Sequence, residues 1–202
     1  MAGINRDFFF QYARGVLFSS SLKQSQVNGL NALLDFWEGK YAKKDDRWLA
    51  YCLATAHHET GASMQPIGEY GGKEYKRQLY DVTGNDPARA KKMGNTEPGD
   101  GVLYAGRGYV QLTWKSNYAR AGKAVGRDLV AKPDDAMIAD VSAAIMYEGM
   151  IAGWFTGKKL ADYFEGATSD WLNARRIING KDKAELIQGY ALHYYASVSY
   201  TV

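Results

Sequence analysis

Apolar residues recur every three or four positions in the first part of the chain, and this spacing is typical of amphipathic helices. Two stripes predict a helix, a turn and a second helix within the first 38 residues, with Asn5 as the first N-cap. The stripes consist of Phe8, Phe9, Tyr12, Val16 and Leu17, and then of Val27, Leu30, Leu33, Leu34 and Trp37. A third stripe, from Leu49 to Ala56, predicts a helix over about residues 46–58.

The second half of the chain also carries helical patterns with recognisable ends. A helix is predicted to begin at about Lys115, and a longer one to run from Pro133 to Trp154. Two more are predicted at roughly residues 168–178 and 182–198, separated by an Asn-Gly pair.

Residues 61–104 interrupt these patterns with closely spaced glycines and prolines. Such residues predict loops, here with one short hairpin and one short helix around residues 87–93. A long irregular segment inside a compact domain is more often functional than idle. We therefore predict one domain over residues 1–202, with a loop-rich cleft segment at about residues 61–114.

Glu59 continues the apolar stripe of the third predicted helix at its last turn. Residues 52, 56 and 59 fall close together on a helical wheel, so this acid is predicted to be buried. Burial and the negative end of the helix dipole both favour the protonated form of a carboxylic acid. A protonated acid is what general acid catalysis needs. The alternative is a buried helix-end acid that is paired with an arginine and has no catalytic role.

Other site chemistries find little support in the sequence. His57 and His58 precede Glu59, but a zinc protease motif needs a second histidine at position 62, which is Ala62 here. Cys52 lies inside an apolar run, and no Gly-x-Ser-x-Gly elbow is present. We therefore predict no metal and no cofactor. Paired carboxylates remain, and glycoside hydrolysis uses such a pair.

Composition narrows the class of protein further. Hydrophobic residues make up 46% and charged residues 23%, which is ordinary for a soluble globular protein. The formal net charge is +3 with scattered basic residues, so no nucleic acid is predicted as a partner. No apolar run is long enough for a membrane span, and the N-terminal sequence predicts no secretory signal. The single cysteine excludes a disulfide within the chain. We expect the protein to be a monomer.

Three motifs, HHETGASMQPIGEYGG, YAGRGYVQLTWKSNY and ARRIING, together resemble glycoside hydrolase family 19. The resemblance covers nearly the whole chain and is strongest to the phage endolysin branch, which is related to plant-type chitinases. It implies a mainly α, lysozyme-like, two-lobed helical fold with a loop-rich insertion and at most a small β-hairpin. It also implies a reaction that inverts the configuration at the anomeric carbon.

The resemblance assigns roles to single residues in these motifs. Glu59 matches the general acid, and Thr113 matches the hydroxyl that helps to hold the attacking water. The other matched or neighbouring positions are expected to line the sugar site, although Arg107 equally fits a structural brace. These substrate-binding candidates are Tyr104, Arg107, Gln111, Asn117, Tyr118 and Asn179.

The second carboxylate is less securely placed by the resemblance. Glu69 is favoured because it lies on the loop directly after the acid and needs little chain to face it. Glu74, Asp81 and Asp100 remain open alternatives on the same loop-rich segment. A separation from Glu59 of about 6.5–9.5 Å would suit inversion, and one of about 5–5.5 Å would suit retention.

The function that this resemblance implies is that of an endolysin acting on peptidoglycan glycan strands. It would cleave their β-1,4 bonds as a muramidase, from the host bacterial cytoplasm until lysis and then in the periplasm and cell wall. A separate holin would release it without direct contact. The chain lacks the cysteine pairs of chitinases and an arginine in the last predicted helix, AELIQGYALHYY, which favours peptidoglycan over chitin. The alternatives are a chitinase of the same fold, a lytic transglycosylase, and a sugar-binding module without catalysis.

Overall fold

The structure, a computed structural model, describes residues 3–199 and is mainly helical, as the sequence predicts. The α-helices are α1 Arg6–Leu17, α2 Gln24–Tyr41, α3 Asp46–Glu59, α4 Lys73–Tyr80, α5 Pro87–Lys92, α6 Asp100–Leu103, α7 Lys115–Val125, α8 Ala139–Ala152 and α9 Ala184–Val198. The 3-10 helices are Pro133–Met137, Leu160–Asp162 and Asn173–Ile177. The strands are β1 Ile67–Gly68, β2 Arg107–Gly108, β3 Phe164–Glu165 and β4 Thr168–Ser169. No helix within residues 3–199 has the length and apolar character needed to cross a bilayer.

The chain divides into two compact units. The first unit runs to Gln65 and resumes at Met146, and the second covers Pro66–Ile145. Each unit has its own buried residues and its own pair of short antiparallel strands. The loop-rich segment that the sequence predicts therefore lies almost wholly in the second unit.

Helix α3 is the centre of the first unit, where it packs along α9. Every residue from Leu49 to Ala56 is at most 1% exposed, so this helix is buried on all sides rather than on one face. Near its end, Nδ1 of His57 lies 2.9 Å from the Tyr194 hydroxyl of α9. Burial, with a smaller effect from the charge of His58, lowers the pKa of His57 to about 4.

Helix α2 is joined to α8 within the first unit by a tyrosine and a carboxylate. The Tyr41 hydroxyl donates to Oε1 of Glu148 at 2.7 Å, and Nζ of Lys40 contacts the same oxygen. Deeper in this unit, the thiol of Cys52 contacts Sδ of Met150 at 3.6 Å, and burial raises the pKa of that thiol.

The second unit is organised by short elements and by a buried acid. β1 pairs with β2, with Ile67 opposite Gly108, and α4 packs against α6. Asp81 is 1% exposed and accepts hydrogen bonds from the backbone amides of Gly99 and Gly101. Because an ionised acceptor makes strong hydrogen bonds, Asp81 at the end of α4 holds the start of α6 in place.

Four sequence-based predictions for elements were wrong. The hairpin expected within residues 61–104 does not form, because β1 pairs with β2, which lies beyond that segment. Helix α4 was not predicted, because it is a short, charged segment among closely spaced glycines and none of its residues is buried. The long helix from Pro133 is interrupted by extended backbone at Ile138, but both parts share the apolar spacing that predicted one helix. Residues 168–178 form strand β4 and a 3-10 helix, because Arg47 donates to the carbonyls of Gly166 and Thr168 and so holds a β3–β4 turn.

Candidate active site

Glu59 is the last residue of α3, and its side chain is 19% exposed. Nη1 of Arg175 donates to Oε1 of Glu59 at 2.8 Å, and Nε of the same arginine donates to the Asp182 carbonyl at 3.0 Å. Arg175 itself is 3% exposed. The structure thus realises the arginine-paired arrangement that the sequence left open.

Asn179 lies close to this pair in the first unit. Its backbone amide donates to the carbonyl of Arg175 at 3.0 Å, and its side-chain oxygen accepts from the amide of Gly180 at 2.8 Å. The residue is exposed. The asparagine predicted for substrate binding is therefore attached to the same turn as the arginine that holds Glu59.

Glu69 follows β1 in the second unit and is half-buried. Its backbone amide donates to the carbonyl of Gly106 at 2.7 Å, and its Oε2 accepts from the amide of Gly106 at 2.9 Å. The Tyr80 hydroxyl donates to the other carboxylate oxygen, Oε1, at 2.8 Å. Each oxygen of this carboxylate therefore has one fixed donor.

Gly106 is the point where two candidate side chains meet. A Cβ atom on this glycine would lie 2.8 Å from Oε1 of Gln111 and 3.2 Å from Oε2 of Glu69. Nε2 of Gln111 donates to the carbonyls of Ile67 and Gly108, at 3.0 and 3.1 Å. The absence of a side chain at position 106 is therefore what allows Glu69 and Gln111 to lie together.

Thr113 and Asn117 are partly exposed and are connected to the same segment. The Thr113 hydroxyl donates to the carbonyl of Gln111 at 2.8 Å, and Nδ2 of Asn117 donates to the carbonyl of Thr113 at 2.9 Å. Since the threonine proton is already used, its oxygen is left as an acceptor for a water. The assignment of Thr113 to the attacking water stays a prediction.

Arg107, Tyr104 and Tyr118 form a mostly buried brace. Nη1 of Arg107 donates to two backbone carbonyls and to the Tyr118 hydroxyl, and its Nε donates to Asp134 at 2.8 Å. Tyr118 is fully buried and Tyr104 is 3% exposed, and their rings pack together at 5.5 Å. This arrangement gives Arg107 the bracing role and leaves no exposed face of Tyr118 for a sugar.

The alternative second carboxylates have other partners. Glu74 pairs with Arg77 at 2.6 Å on an exposed face of α4, and this hydrogen-bonded arginine lowers the pKa of Glu74 to about 2. Burial raises the pKa of Asp81, but hydrogen bonds from Thr83 and from backbone amides outweigh it, and the pKa is lowered. Asp100 is 6% exposed and is bound by backbone amides and a lysine. Among the four, Glu69 combines partial exposure with a fixed orientation.

Two contact residues were missed by the sequence analysis. Tyr80 carries no local signal, because it ends a helix that the apolar pattern does not predict. Arg175 lies inside the motif ARRIING, but only the distant contact with Glu59 shows what it binds. Within residues 3–199, no group of three or more histidine, cysteine or acidic side chains is placed to hold a metal ion.

Glycoside hydrolases use a pair of carboxylic acids, and this mainly helical chain places Glu59 at a helix end and Glu69 on a loop. The family model described as class I chitinase, that of glycoside hydrolase family 19, matches residues 25–174. The chain therefore belongs to glycoside hydrolase family 19.

Curated relatives carry the names of chitinases. An acidic endochitinase of Petunia hybrida is 37% identical over 108 residues, which cover 53% of this chain and 34% of the relative. Chitinase 3 of Oryza sativa subsp. japonica is 35% identical over 111 residues, 54% of this chain and 34% of the relative. The matched part of this chain thus spans about a third of the length of these relatives.

Solved structures confirm the fold. Chitinase C from Streptomyces griseus HUT6037 superposes with a TM-score of 0.62 at 20% identity, covering 98% of this chain and 77% of that one. A class IV family 19 chitinase from Zea mays gives a TM-score of 0.56 at 17% identity, covering 96% and 92%. The predicted mainly α, lysozyme-like fold class is therefore confirmed.

Proposed function

We propose that this chain hydrolyses β-1,4 glycosidic bonds in a glycan of N-acetylated sugars. The proposal rests on the surroundings of Glu69. Tyr80 and the amide of Gly106 each donate to one of its carboxylate oxygens, and the residue stays partly exposed. A general base needs both a fixed direction and access to water. Membership of a family of glycoside hydrolases supports the same reaction class.

In the proposed reaction, Glu59 gives its proton to the oxygen of the leaving sugar. Glu69 takes a proton from a water that attacks the anomeric carbon, so the C–O bond to the leaving sugar breaks as the new one forms. Proton transfer leaves Glu59 as a carboxylate beside the Arg175 guanidinium, 2.8 Å away. Arg175 therefore stabilises the charge that develops on Glu59 in the transition state.

Chitin is the substrate that the names of the relatives favour, whereas the sequence motifs favour peptidoglycan. Peptidoglycan remains a second candidate, because the chain has one cysteine and no arginine in α9. On that second candidate, the chain would act as a phage endolysin that a holin releases from the host cytoplasm to the wall.

The experiment compares soluble products from chitin oligomers and from purified Gram-negative sacculi by mass spectrometry. Wild type is expected to release reducing ends from one of them, and Glu59→Gln and Glu69→Gln to release none. Glu74→Gln is the matched control, because it changes an exposed carboxylate of α4 that pairs with Arg77.

Each other outcome points to a different function. Anhydro ends, lighter by one water, would mean a lytic transglycosylase that needs only Glu59. Binding to the glycan without any release by wild type would mean a sugar-binding module. A fully active Glu59→Gln variant would overturn the assignment of the acid.

A further inference from the structure

Glu69 is held in a fixed plane by two donors from different parts of the second unit. Tyr80 ends α4 and donates to Oε1 at 2.8 Å, whereas the Gly106 amide precedes β2 and donates to Oε2 at 2.9 Å. A single donor would leave the carboxylate free to turn about its last torsion. Two donors on opposite oxygens fix the plane of the group and leave one lone pair on each oxygen.

Tyr80 is itself fixed by contacts that do not involve its hydroxyl. Nδ2 of the fully buried Asn95 donates to the carbonyl of Tyr80 at 2.8 Å. The ring of Tyr80 packs edge-to-face on Trp114, with 5.1 Å between ring centroids. The position of the ring is therefore set by packing and backbone contacts, and the hydroxyl group is left to act on Glu69.

The hydroxyl stays a donor over the whole neutral pH range. Partial burial raises the pKa of Tyr80 well above its usual value, and the hydrogen bond to Glu69 raises it further. The phenol therefore keeps its proton wherever a glycosidase of this kind would work.

We propose that Tyr80 is a positioning residue for catalysis, which orients Glu69 toward the attacking water through its hydrogen bond to Oε1. The inference rests on the proposed role of Glu69 as general base. Tyr80 needs no contact with the substrate for this, because it acts through the carboxylate alone. Loss of a hydrogen bond to a charged group is expected to lower kcat roughly 10- to 100-fold, with KM nearly unchanged.

Tyr80→Phe tests the inference, because it removes the donor and keeps the ring that packs on Trp114. The matched control is Tyr41→Phe, which removes a tyrosine-to-glutamate hydrogen bond of nearly the same length, 2.7 Å, in the first unit. Both variants are expected to unfold at similar temperatures, and only Tyr80→Phe is expected to lose kcat. Equal kcat values for the two variants, beside an inactive Glu69→Gln, would overturn the role of Tyr80 alone.

A double variant separates positioning from a general structural effect. If Tyr80 acts through Glu69, Tyr80→Phe should cause no further loss of residual activity when combined with Glu69→Gln. A further loss of 10-fold or more would overturn the inference. A fully active Glu69→Gln would instead overturn the general base, and the inference with it.

Two non-natural side chains keep the test decisive if Tyr80→Phe does not fold. p-Methylphenylalanine at position 80 fills the space of the hydroxyl without a donor, and p-aminophenylalanine restores an N–H donor on the same ring. The first is expected to show the loss of kcat and the second to recover most of it. Equal activity of the two proteins would contradict the inference.

Discussion

Arg175 binds Glu59 through a hydrogen-bonded ion pair, with 2.8 Å between Nη1 and Oε1. The arginine is 3% exposed, and its Nε donates to the carbonyl of Asp182. These contacts fix the orientation of the guanidinium group. Removal of one member of such a pair leaves the other without its counter-charge. Arg175 therefore ties the side chain of the proposed acid to the turn at Asp182.

Arg175→Ala is expected to lower the free energy of unfolding by about 2–4 kcal/mol, because it removes two hydrogen bonds and leaves Glu59 without its cation. Urea unfolding measures this loss. Arg127→Ala is the control, because it breaks an exposed pair with Asp135 at 3.4 Å and should cost less than about 1 kcal/mol. Equal losses of unfolding free energy in the two variants would show that the buried pair stabilises the protein no more than the exposed one.

Gly106→Ala is expected to lower activity by displacing Glu69 and Gln111, because its Cβ would lie 2.8 Å from Oε1 of Gln111. The clash should also cost about 1–3 kcal/mol of stability. Gly39→Ala in α2 is the control, since a Cβ there meets no atom within 4 Å and should stabilise the helix by roughly 0.5–1 kcal/mol. The measurements are kcat on the preferred glycan and the unfolding midpoint. Unchanged kcat in Gly106→Ala would contradict the close packing.

Acid is expected to destabilise the protein through His57. The unfolded chain binds a proton at this residue below its usual pKa of about 6.5, whereas burial keeps the folded residue neutral down to about 4. The stabilisation is therefore complete above pH 6.5 and is lost as the pH falls toward 4, by up to about 3 kcal/mol. Urea midpoints between pH 7.5 and 4.5 measure the slope. His57→Gln should flatten it, and a variant with the wild-type slope would exclude His57 as the cause.

Asp81→Asn is expected to lower stability rather than the rate of the folded enzyme. Its carboxylate accepts from the amides of Thr83, Gly99 and Gly101, and an amide group would turn an N–H toward one of these donors. The cost should be about 2–4 kcal/mol. Urea unfolding and kcat per folded molecule check this. A strong loss of kcat in a stably folded variant would return Asp81 to the list of candidate bases.

The sequence predicted the elements that have an apolar stripe and missed those held by polar contacts. Helix α3 was recognised from Leu49, Cys52, Leu53 and Ala56, although burial on all its sides is not visible in a one-sided stripe. Helix α4 has no buried residue and is supported by the Glu74–Arg77 pair. The spacing of apolar residues predicts a helix that is buried on one face, but it does not predict a helix that is held by charged side chains.

The sequence predicted those residues of the candidate site that lie within a local motif, but not the contacts between distant parts of the chain. Glu59 and Glu69 belong to one motif, and Gln111 and Thr113 to another. The contact between Arg175 and Glu59 joins residues 116 positions apart, and such a contact cannot be read from spacing along the chain. The roles expected of Tyr104 and Tyr118 as sugar contacts came from their motif alone, and burial was not visible there.

Cys52 gives the first unit a direct chemical report of its own opening. It is the chain's single cysteine, is fully buried in α3 and contacts Met150. A maleimide can reach this thiol only after the surrounding helices separate, so the alkylation rate of the unmodified protein measures how often they do so. Mass spectrometry of the alkylated protein can therefore follow the local opening of the helix that carries Glu59, with no introduced residue.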